Sequence, residues 1–551
     1  MNKIVECVPN FSEGRDMSVI DKIADVIKAT EDVVLLDIDP GKDTNRTVVT
    51  FAGSPEGVAE AAFAAIKKAG ELIDMSKHKG AHARMGATDV CPFIPVSGVT
   101  MEECVEISKK VGKRVGEELG IPVYLYAESA VKSSRKRLPD IREGEYEALP
   151  DKLKKNEFAP DFGKPEFNKK SGATAVGARG FLIAYNINLN TKNTKIANKI
   201  AKRLREKGRN IKNKETGKKE NIPGMFKGVQ GMGWFIEEYE MAQVTVNILN
   251  YKESPLYRIF DEAEKLALEF GARVTGSEIV GLIPLDALKE AGVHYLRRQG
   301  SSTGVSEKEI IRVAVQSMGL NEVSDFNINE RIIEYRFKKS GKLVSMKVND
   351  FMDELASDSP APGGGSVAAI NGSLSVALSA MVGNLTVNKI KYKNVREDMI
   401  KISEEGQELK EFFIDAIDKD TDAFNKIMDA FTLPKKSEAE QKIRDEAIQA
   451  ATIEATLIPF SVLENAKKAV DLAYIAVKKG NTNSLSDAGV AALTAVSSAA
   501  GAFYNVKINL TDIKDADLKT KLSSKSRKIL DDVYKKGNEI SKLVEKTLEG
   551  E

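Results

Sequence analysis

The sequence predicts two α/β sandwich subdomains followed by an all-helical bundle, and three observations lead to this prediction. The chain has 551 residues, enough for three or four domains of about 150 residues each. Strand-like and helical segments alternate up to about residue 330, whereas the chain after about Asn349 has helical periodicity throughout. All three histidines, all three cysteines and the single tryptophan lie before residue 300. We therefore predict α/β subdomains at 1–179 and 180–333, a linker at 334–347 and a helical domain at 348–551.

The first subdomain has a pattern of roughly βαββαβ, which suggests helices covering one face of a sheet. Short runs rich in Val, Ile and Leu predict strands, and apolar residues at helical spacing predict helices. The predicted strands are 3–8, 33–39, 45–51 and 121–126, and the predicted helices are 16–28, 55–72 and 101–119.

The second subdomain repeats this order of elements without repeating the sequence. Its predicted strands are 181–189, 229–235 and 243–249, and its predicted helices are 194–206 and 255–270. Between the two subdomains, residues 157–174 have no clear period and predict a long loop, a feature that is often functional. A lysine-rich stretch at 209–221 looks like an insertion.

Five long helices are predicted after the linker, at 366–388, 394–431, 437–479, 484–505 and 515–548. Pro459 should kink or split the third of them. The first and fourth are nearly uncharged and rich in small residues, so we expect them at the centre of the bundle, with some apolar surface against another subunit.

Composition excludes several classes of protein. The formal net charge of +1 argues against a nucleic-acid binder, which normally carries a basic excess. Three cysteines without CxxC spacing form neither a disulfide framework nor a zinc site. The first residues lack the apolar stretch of a signal peptide, and the uncharged stretches 360–388 and 488–506 are too rich in Gly, Ala, Ser and Asn for membrane spans. We expect a soluble, cytoplasmic protein.

Two motifs of the first subdomain could carry chemistry. Residues 39–47 (DPGKDTNRT) form a turn between strands, either functional or a plain Pro-Gly turn. Residues 77–86 (KHKGAHARMG) contain two histidines four apart, but Gly80 and the flanking basic residues argue against a metal pair. Basic neighbours suit an anionic substrate and favour a neutral imidazole, the form that a general base needs. The alternative is an exposed basic loop.

Three further motifs have both a functional and a structural interpretation. The glycines of 224–234 precede a strand, so they suit close approach to a flat ligand or simply the entry to a strand. Residues 359–366 (SPAPGGGS) open a helix whose N–H groups could face an anion, or they form a linker end and N-cap. In DKDTDAF, helical geometry separates Asp420 from Asp418 and Asp422, so one carboxylate can turn inward while two stay solvated. The alternative is a solvated acidic face.

Taken together, these motifs resemble two known enzyme families. The resemblance to glutamate formimidoyltransferase rests on CVPNFSEGR, DPGKDTNRTVVTFAG, KHKGAHARMGATDVCPFIP, GEYEALPDKL and GVQGMGW. The resemblance to formimidoyltetrahydrofolate cyclodeaminase rests on SDSPAPGGGSVAA, MVGNLT, DKDTDAF and SDAGVAAL. The order of the segments and the length of the chain match the bifunctional family that carries both domains.

The resemblance implies two linked reactions. The formimidoyl group moves from N-formimidoylglutamate to N5 of tetrahydrofolate, and glutamate is released. N10 then attacks the same carbon, the ring closes, ammonia leaves and 5,10-methenyltetrahydrofolate forms. Tetrahydrofolate polyglutamate is the implied cofactor, without a metal, and the implied assembly is a homo-oligomer of dimers built towards an octamer.

Carried over residue by residue, the resemblance implies that His82 and Asp420 are catalytic. Asp39 would orient His82 or bind the amidinium, and Arg46 and Arg84 are candidates for binding substrate carboxylates, because guanidinium pairs with carboxylate through two hydrogen bonds. Two folate-contacting segments, 163–172 and 224–233, and a lysine after MVGNLT complete the implied site. The implied folate-binding residues are Gly163, Lys164, Phe167, Lys169, Lys170, Gly172, Gly224, Lys227, Gly228, Gln230, Gly231, Gly233 and Lys391.

Two alternatives remain open at this point. In one, a single site has changed its reaction, so that the helical domain hydrolyses methenyltetrahydrofolate or the transferase uses a formyl donor. In the other, the chain is a non-catalytic carrier of folate polyglutamate. Intact motifs around His82 and Asp420 count against the carrier.

Overall fold

The computed structural model describes residues 3–80, 82–212, 218–337 and 341–550. These residues form two compact units. The first comprises the described residues of Met1–Ala291 and Val315–Lys338, and the second those of Gly292–Ala314 and Lys339–Glu551. Parts of the predicted linker (338–340) and of the lysine-rich stretch (213–217) lie outside the described residues.

The larger sheet of the first unit has the order β1-β4-β2-β5-β7-β6, with β3 paired to β4. β5–β7 and β6–β7 are parallel and the other pairs are antiparallel. Its strands are β1 (Ile4–Cys7), β2 (Asn10–Phe11), β3 (Val33–Gly41), β4 (Arg46–Gly53), β5 (Thr88–Ser97), β6 (Val123–Ala127) and β7 (Thr174–Ala178). The helices that accompany them are α1 (Met17–Lys28), α2 (Pro55–Leu72), α3 (Met101–Glu118), α4 (Leu138–Arg142) and α5 (Glu145–Lys152).

The predicted strands and helices of this region are confirmed, but β2, β5 and β7 were not predicted. β5 is a central strand although it contains Pro92 and Pro95. Proline lacks the N–H group of a ladder and argues against a central strand. The carbonyl group of Pro92 nevertheless accepts a hydrogen bond from Val8 N at 3.4 Å.

The smaller sheet of the first unit has the order β11-β12-β8-β13 and is antiparallel throughout. A separate hairpin pairs β9 with β10. The strands are β8 (Ile183–Leu189), β9 (Arg209–Lys212), β10 (Lys219–Ile222), β11 (Val229–Ile236), β12 (Met241–Ile248) and β13 (Val274–Val280), and the helices that follow β8 in the chain are α6 (Thr194–Leu204), α7 (Leu256–Glu269), α8 (Leu285–Arg298), α9 (Glu307–Ser317) and α10 (Ile328–Arg331). The predicted elements are again present, whereas β13, α8 and α9 were not predicted.

Residues 292–314, which include parts of α8 and α9, belong to the second unit. Within that unit Asn384 Nδ2 donates to Gly304 O at 2.8 Å and Thr303 Oγ1 donates to Glu404 at 2.5 Å. A segment that precedes the predicted linker therefore packs with the long helices. The domain boundaries at 333 and 348 stay predictions.

The second unit is mainly helical, as predicted. Its helices are α11 (Val348–Leu355), α12 (Gly364–Val387), α13 (Arg396–Thr432), α14 (Glu438–Lys479), α15 (Leu485–Asn509) and α16 (Ala516–Leu548). Of the predicted kink or split at Pro459, the split is wrong, because α14 is one helix of 42 residues that contains this buried proline, while the kink stays a prediction. Proline removes one hydrogen bond of the helix, and packing of α14 against its neighbours α13, α15 and α16 sustains the helix across that gap.

Small residues allow α12 to lie close to α13. Gly372 faces the ring of Phe413, and Gly383 faces Ser403. By length and composition, α12 and the segment Thr482–Asp512 are apolar enough to cross a membrane, and 56% and 44% of their most apolar windows are buried within the unit. The bundle therefore covers about half of this apolar surface with other helices.

Candidate active sites

The turn between β3 and β4 supports the loop that carries His82. Asn45, at φ 48°, donates from Nδ2 to Lys79 O at 3.0 Å and accepts from Gly14 N at 3.0 Å. The Nε2 atom of His78 lies 2.8 Å from Asn45 O. Gly80 packs so closely on Thr44 that a Cβ atom would collide with the carbonyl oxygen. Hydrogen bonds and close packing therefore fix the histidine loop against this turn.

The imidazole of His82 is half-buried. Its Nδ1 atom lies 2.7 Å from Ala83 O, so Nδ1–H donates to that carbonyl and Nε2 keeps its lone pair. Burial lowers the pKa of His82, and the positive charges of Arg46 and Arg142 lower this pKa further. A neutral imidazole with a free Nε2 is suited to accept a proton near pH 7.

Two guanidinium groups and one buried carboxylate lie around this histidine. Arg142 pairs with Asp89, whose side chain is 1% exposed, and Arg46 donates to Asn10 Oδ1. Asp89 also accepts from Met85 N at 2.9 Å, within the histidine loop. Burial lowers the pKa of Arg46, and the charge of Asp89 opposes this effect. The groups around His82 are therefore two half-buried cations and one buried carboxylate.

Arg84 pairs with carboxylates of the protein itself. Its side chain is 9% exposed and pairs with Glu145 at 2.8 Å and Glu147 at 2.7 Å. Its Nε donates to His78 Nδ1 at 3.3 Å. Two carboxylates of the protein pair with the guanidinium, so Arg84 ties the loop to α5, and its role in binding a substrate carboxylate stays a prediction. The lowered pKa of His82 arises from burial, Arg46 and Arg142, not from the flanking basic residues that we had expected.

Asp39 lies on β3 and is exposed. Its charge acts on Arg46, whose pKa it raises. The Nδ1 atom of His82 bonds to a backbone carbonyl and not to Asp39. Asp39 therefore affects the site through its charge, which acts on Arg46.

The first implied folate segment, 163–172, borders the histidine loop. Gly172 forms a bridge with Gly86, and the ring of Phe167 lies 5.4 Å from that of Tyr146. Gly163 and Gly172 have φ values of 83° and 68°, so both positions need glycine for the path of the backbone. The Lys164, Lys169 and Lys170 side chains are exposed, and Lys170 Nζ donates to Glu71 O at 2.6 Å.

The second implied folate segment, 224–233, contributes to a cleft of about 860 Å³. Gln230 and Gly231 line this cleft together with Arg137, Arg205, Glu206, Lys207, Val229, Met232, Thr245, Asn247 and Leu249. Gly233 packs against the backbone of α6 and Gly224 against Arg205 O, so these two glycines serve close packing. Gly228 has φ 63°. The Nζ atom of Lys227 lies 3.5 Å from Oε1 of Glu253.

The helical unit holds Asp420 against the start of α12, as the inward orientation predicted. The carboxylate lies on Gly365, and the backbone N–H and the hydroxyl of Ser366 donate to it. Burial raises the pKa of Asp420, and these hydrogen bonds act in the opposite direction. The N–H groups at the start of α12 (GGGS) therefore face the carboxylate of Asp420. This start is the positive end of the dipole of a 24-residue helix.

Asp418 is not free in solvent, contrary to our expectation. Its carboxylate accepts from Leu343 N at 2.8 Å and from Val344 N at 3.3 Å. Asp422 is exposed, as expected. Lys391 is also exposed, in the turn after α12, where its ammonium lies 5.6 Å from the ring of Tyr392. Its folate role stays a prediction.

Sequence reasoning missed Arg142, Asp89 and Asn10. Arg142 lies two positions before the first residue of the segment GEYEALPDKL, and Asn10 lies within CVPNFSEGR. Both segments contributed to the resemblance, but no role followed for either residue from the sequence. Within the described ranges, no group of three or more His, Cys, Asp and Glu side chains forms a candidate metal site.

Comparison with known proteins finds matches for both the α/β part and the helical part of the chain. Residues 4–179 match the formiminotransferase domain, N-terminal subdomain, residues 184–338 match the formiminotransferase domain, and residues 347–528 match formiminotransferase-cyclodeaminase. The chain is 44% identical to the formimidoyltransferase-cyclodeaminase of Mus musculus over 95% of both chains.

Two shorter relatives match single parts of the chain. The glutamate formimidoyltransferase of Streptococcus pyogenes serotype M1 is 43% identical over 54% of this chain and 94% of its own length. The methenyltetrahydrofolate cyclohydrolase of Methylorubrum extorquens is 39% identical over 30% of this chain and 81% of its own length. Since family models cover most of the chain and a full-length relative shares 44% identity, the chain belongs to the formimidoyltransferase-cyclodeaminase family.

Proposed function

We propose that the chain transfers the formimidoyl group of N-formimidoyl-L-glutamate to tetrahydrofolate and then cyclises the product to 5,10-methenyltetrahydrofolate with release of glutamate and ammonia. The two reactions belong to histidine degradation and one-carbon metabolism. The observation that carries the proposal is the neutral, half-buried imidazole of His82 beside two guanidinium groups.

In the transfer step, N5 of tetrahydrofolate attacks the formimidoyl carbon, and the attacking amine must lose a proton. Nε2 of His82 accepts it, since Nδ1–H is already committed to Ala83 O. The imidazolium that forms then protonates the nitrogen of glutamate as the tetrahedral intermediate collapses. Arg46 and Arg142 raise the acidity of the imidazolium, which favours this second transfer.

In the cyclisation step, N10 attacks the same carbon and ammonia departs. Asp420 takes the proton from N10 and returns it to the leaving nitrogen. A carboxylate whose pKa is raised by burial is a stronger base than an exposed one, and its pKa lies closer to neutral pH, so it can both accept and return a proton there. No histidine follows His294 in the sequence, so the helices α11 to α16 carry none, and a carboxylate is the natural acid–base group at the start of α12.

Tetrahydrofolate polyglutamate is the proposed one-carbon acceptor, and we propose no metal for either step. The exposed lysines of 163–172 suit the anionic tail, and the cleft beside Gln230 and Gly231 has room for the folate body. Two α/β sandwich subdomains, a homo-oligomer of dimers built towards an octamer, and a cytoplasmic location complete the proposal.

A second candidate follows from the relative in Methylorubrum extorquens. Its name is methenyltetrahydrofolate cyclohydrolase, and its match covers 30% of this chain. A helical unit with the same acid–base group could add water to the methenyl product. This activity would appear as loss of the methenyl chromophore without further ammonia.

One coupled assay tests both steps and the alternative. N-formimidoylglutamate and tetrahydrofolate are mixed with the enzyme, and glutamate, ammonia and the methenyl chromophore are followed together. We expect His82→Ala to stop all three signals, and Asp420→Asn to leave glutamate release while ammonia and the chromophore disappear. Ammonia release at the normal rate by Asp420→Asn would refute the role of that carboxylate.

A further inference from the structure

We propose that Arg142 is a specificity-determining residue of the transferase site, where its guanidinium and that of Arg46 bind the α-carboxylate of the formimidoyl donor beside His82. The inference rests on the proposed function and deepens it. It also replaces Arg84, which its own carboxylate partners occupy.

Charge is the first argument. Arg46 and Arg142 both act on the pKa of His82, so both guanidinium groups lie near the imidazole. Asp89 is the buried carboxylate that acts on both His82 and Arg46, and it pairs with Arg142. Asp39, which also acts on Arg46, is exposed, so among the buried and half-buried groups two cations face one carboxylate, and a bound anion would balance this charge.

Unused hydrogen-bond donors are the second argument. The Nε atoms of Arg46 and Arg142 are buried, and neither has a hydrogen-bond partner among the described residues. Buried donors without partners are rare and costly. A carboxylate that accepts from both groups would satisfy them, because guanidinium N–H groups match carboxylate geometry.

The donor, and not the folate tail, fits this position. The α-carboxylate of N-formimidoylglutamate is three bonds from the reacting carbon, which keeps it within about 4 Å of that carbon. The carboxylates of folate are separated from N5 by the aromatic spacer. An anion bound beside the catalytic imidazole is therefore the α-carboxylate of the donor.

Asp89 acts as a positioning residue in this arrangement. It holds Arg142 on one side and accepts from Met85 N of the histidine loop at 2.9 Å on the other. The same carboxylate thus fixes the guanidinium relative to His82. The buried Asn10 positions Arg46, because its Oδ1 atom accepts a hydrogen bond from that guanidinium.

The test compares three donors at pH 8, which lies above the ordinary pKa of a histidine. They are N-formimidoylglutamate, its α-carboxamide and its γ-carboxamide. For the wild-type enzyme, we expect kcat/KM of glutamate or amide release to fall about 10- to 100-fold with the α-carboxamide, as for loss of a charge-assisted hydrogen bond. Arg142→Met should lower kcat/KM for the natural donor by a similar factor and largely abolish the discrimination between α-acid and α-amide.

Controls separate binding from folding. Arg114→Met removes an arginine that pairs with Glu60 and Glu118 on α2 and α3, and it should keep the wild-type discrimination. Arg142→Lys retains a cation beside Asp89 but loses the planar guanidinium, so it should fold and still discriminate poorly. Circular dichroism and thermal unfolding check each variant, and ammonia release from added 5-formimidoyltetrahydrofolate checks the second site.

The outcomes distinguish the inference from the proposed function. A wild-type enzyme that releases no glutamate from N-formimidoylglutamate would overturn the function itself. An active wild type with unchanged discrimination in folded Arg142→Met, or in Arg142→Lys if the methionine variant does not fold, would overturn the inference. Loss of discrimination in the γ-carboxamide series alone would also overturn it, since the γ-carboxylate would then be the bound group.

Discussion

Gly365 lies against the carboxylate of Asp420, and we expect Gly365→Ala to stop cyclisation while transfer continues. A Cβ atom built on Gly365 would lie 2.1 Å from Asp420 Oδ1 and 2.4 Å from its Cγ and Oδ2 atoms. The added methyl group would meet the catalytic carboxylate itself. Gly365 is therefore the position where one carbon atom should separate the two reactions.

The size of the effect follows from these distances. Ordinary contacts of a Cβ atom begin at 3.4 Å. The new Cβ atom would lie 2.1 Å from Asp420 Oδ1, so the carboxylate or the start of α12 must move by about 1.3 Å. A misplacement of about 1 Å at a catalytic group can cost on the order of 100-fold in rate. The stability cost of such overpacking is about 1–3 kcal/mol, which a folded domain can tolerate.

The assay supplies 5-formimidoyltetrahydrofolate directly and measures ammonia and the methenyl chromophore. Gly364→Ala is the matched control, because a Cβ atom there would lie 3.5 Å from Asn505 Nδ2, an ordinary contact. We expect wild-type ammonia release from Gly364→Ala and a roughly 100-fold loss in Gly365→Ala. Glutamate release from N-formimidoylglutamate should stay normal in both.

Two results would refute this reasoning. Normal ammonia release by a folded Gly365→Ala enzyme would mean that the carboxylate position is not critical. Equal loss in Gly364→Ala and Gly365→Ala would mean that the helix start, and not the contact with Asp420, controls the rate.

Three further predictions concern the transferase site and the bundle. Because the pKa of His82 is lowered and its neutral form is the base, the acidic limb of kcat/KM for transfer should have its midpoint below 6.5, the ordinary pKa of the imidazole. Arg46→Met should move this acidic limb to higher pH, and an unchanged limb would contradict the electrostatic assignment. Glu147→Gln weakens the partly exposed pair that ties Arg84 to α5, so transfer should slow roughly two- to five-fold while ammonia release from 5-formimidoyltetrahydrofolate is unchanged. Phe413→Ala empties a fully buried position of the bundle and should lower the free energy of unfolding of that unit by about 3–5 kcal/mol, and a loss below 1 kcal/mol in denaturant titration would contradict this packing.

Local patterns made most of the elements predictable. Every long helix of the second unit begins and ends within a few residues of its predicted bounds, since caps and periodicity are encoded nearby in the chain. The exceptions were elements whose stability comes from neighbours. β5 contains two prolines and still occupies the centre of a sheet, and α14 continues through Pro459.

In the candidate sites, too, local features could be predicted from the sequence and contacts between distant residues could not. The inward orientation of Asp420 followed from the angular spacing of three aspartates on one helix. The pairing of Asp418 with the backbone of Leu343 and Val344 did not, because those partners are 74 or 75 positions away. The same holds for Arg84, whose partners Glu145 and Glu147 are more than 60 residues distant.

By itself, the sequence determined the family, the order of the α/β and helical parts, and the candidates for the acid–base groups, His82 and Asp420. Those properties depend on short motifs and on periodicity, which need no knowledge of distant contacts. Only the tertiary structure paired Arg84 with Glu145 and Glu147 and placed Arg142 beside Asp89, and the proposed role of Arg142 rests on these contacts. The physical reason is that a charged side chain takes its role from the groups that share its desolvated surroundings, and folding alone brings those groups together.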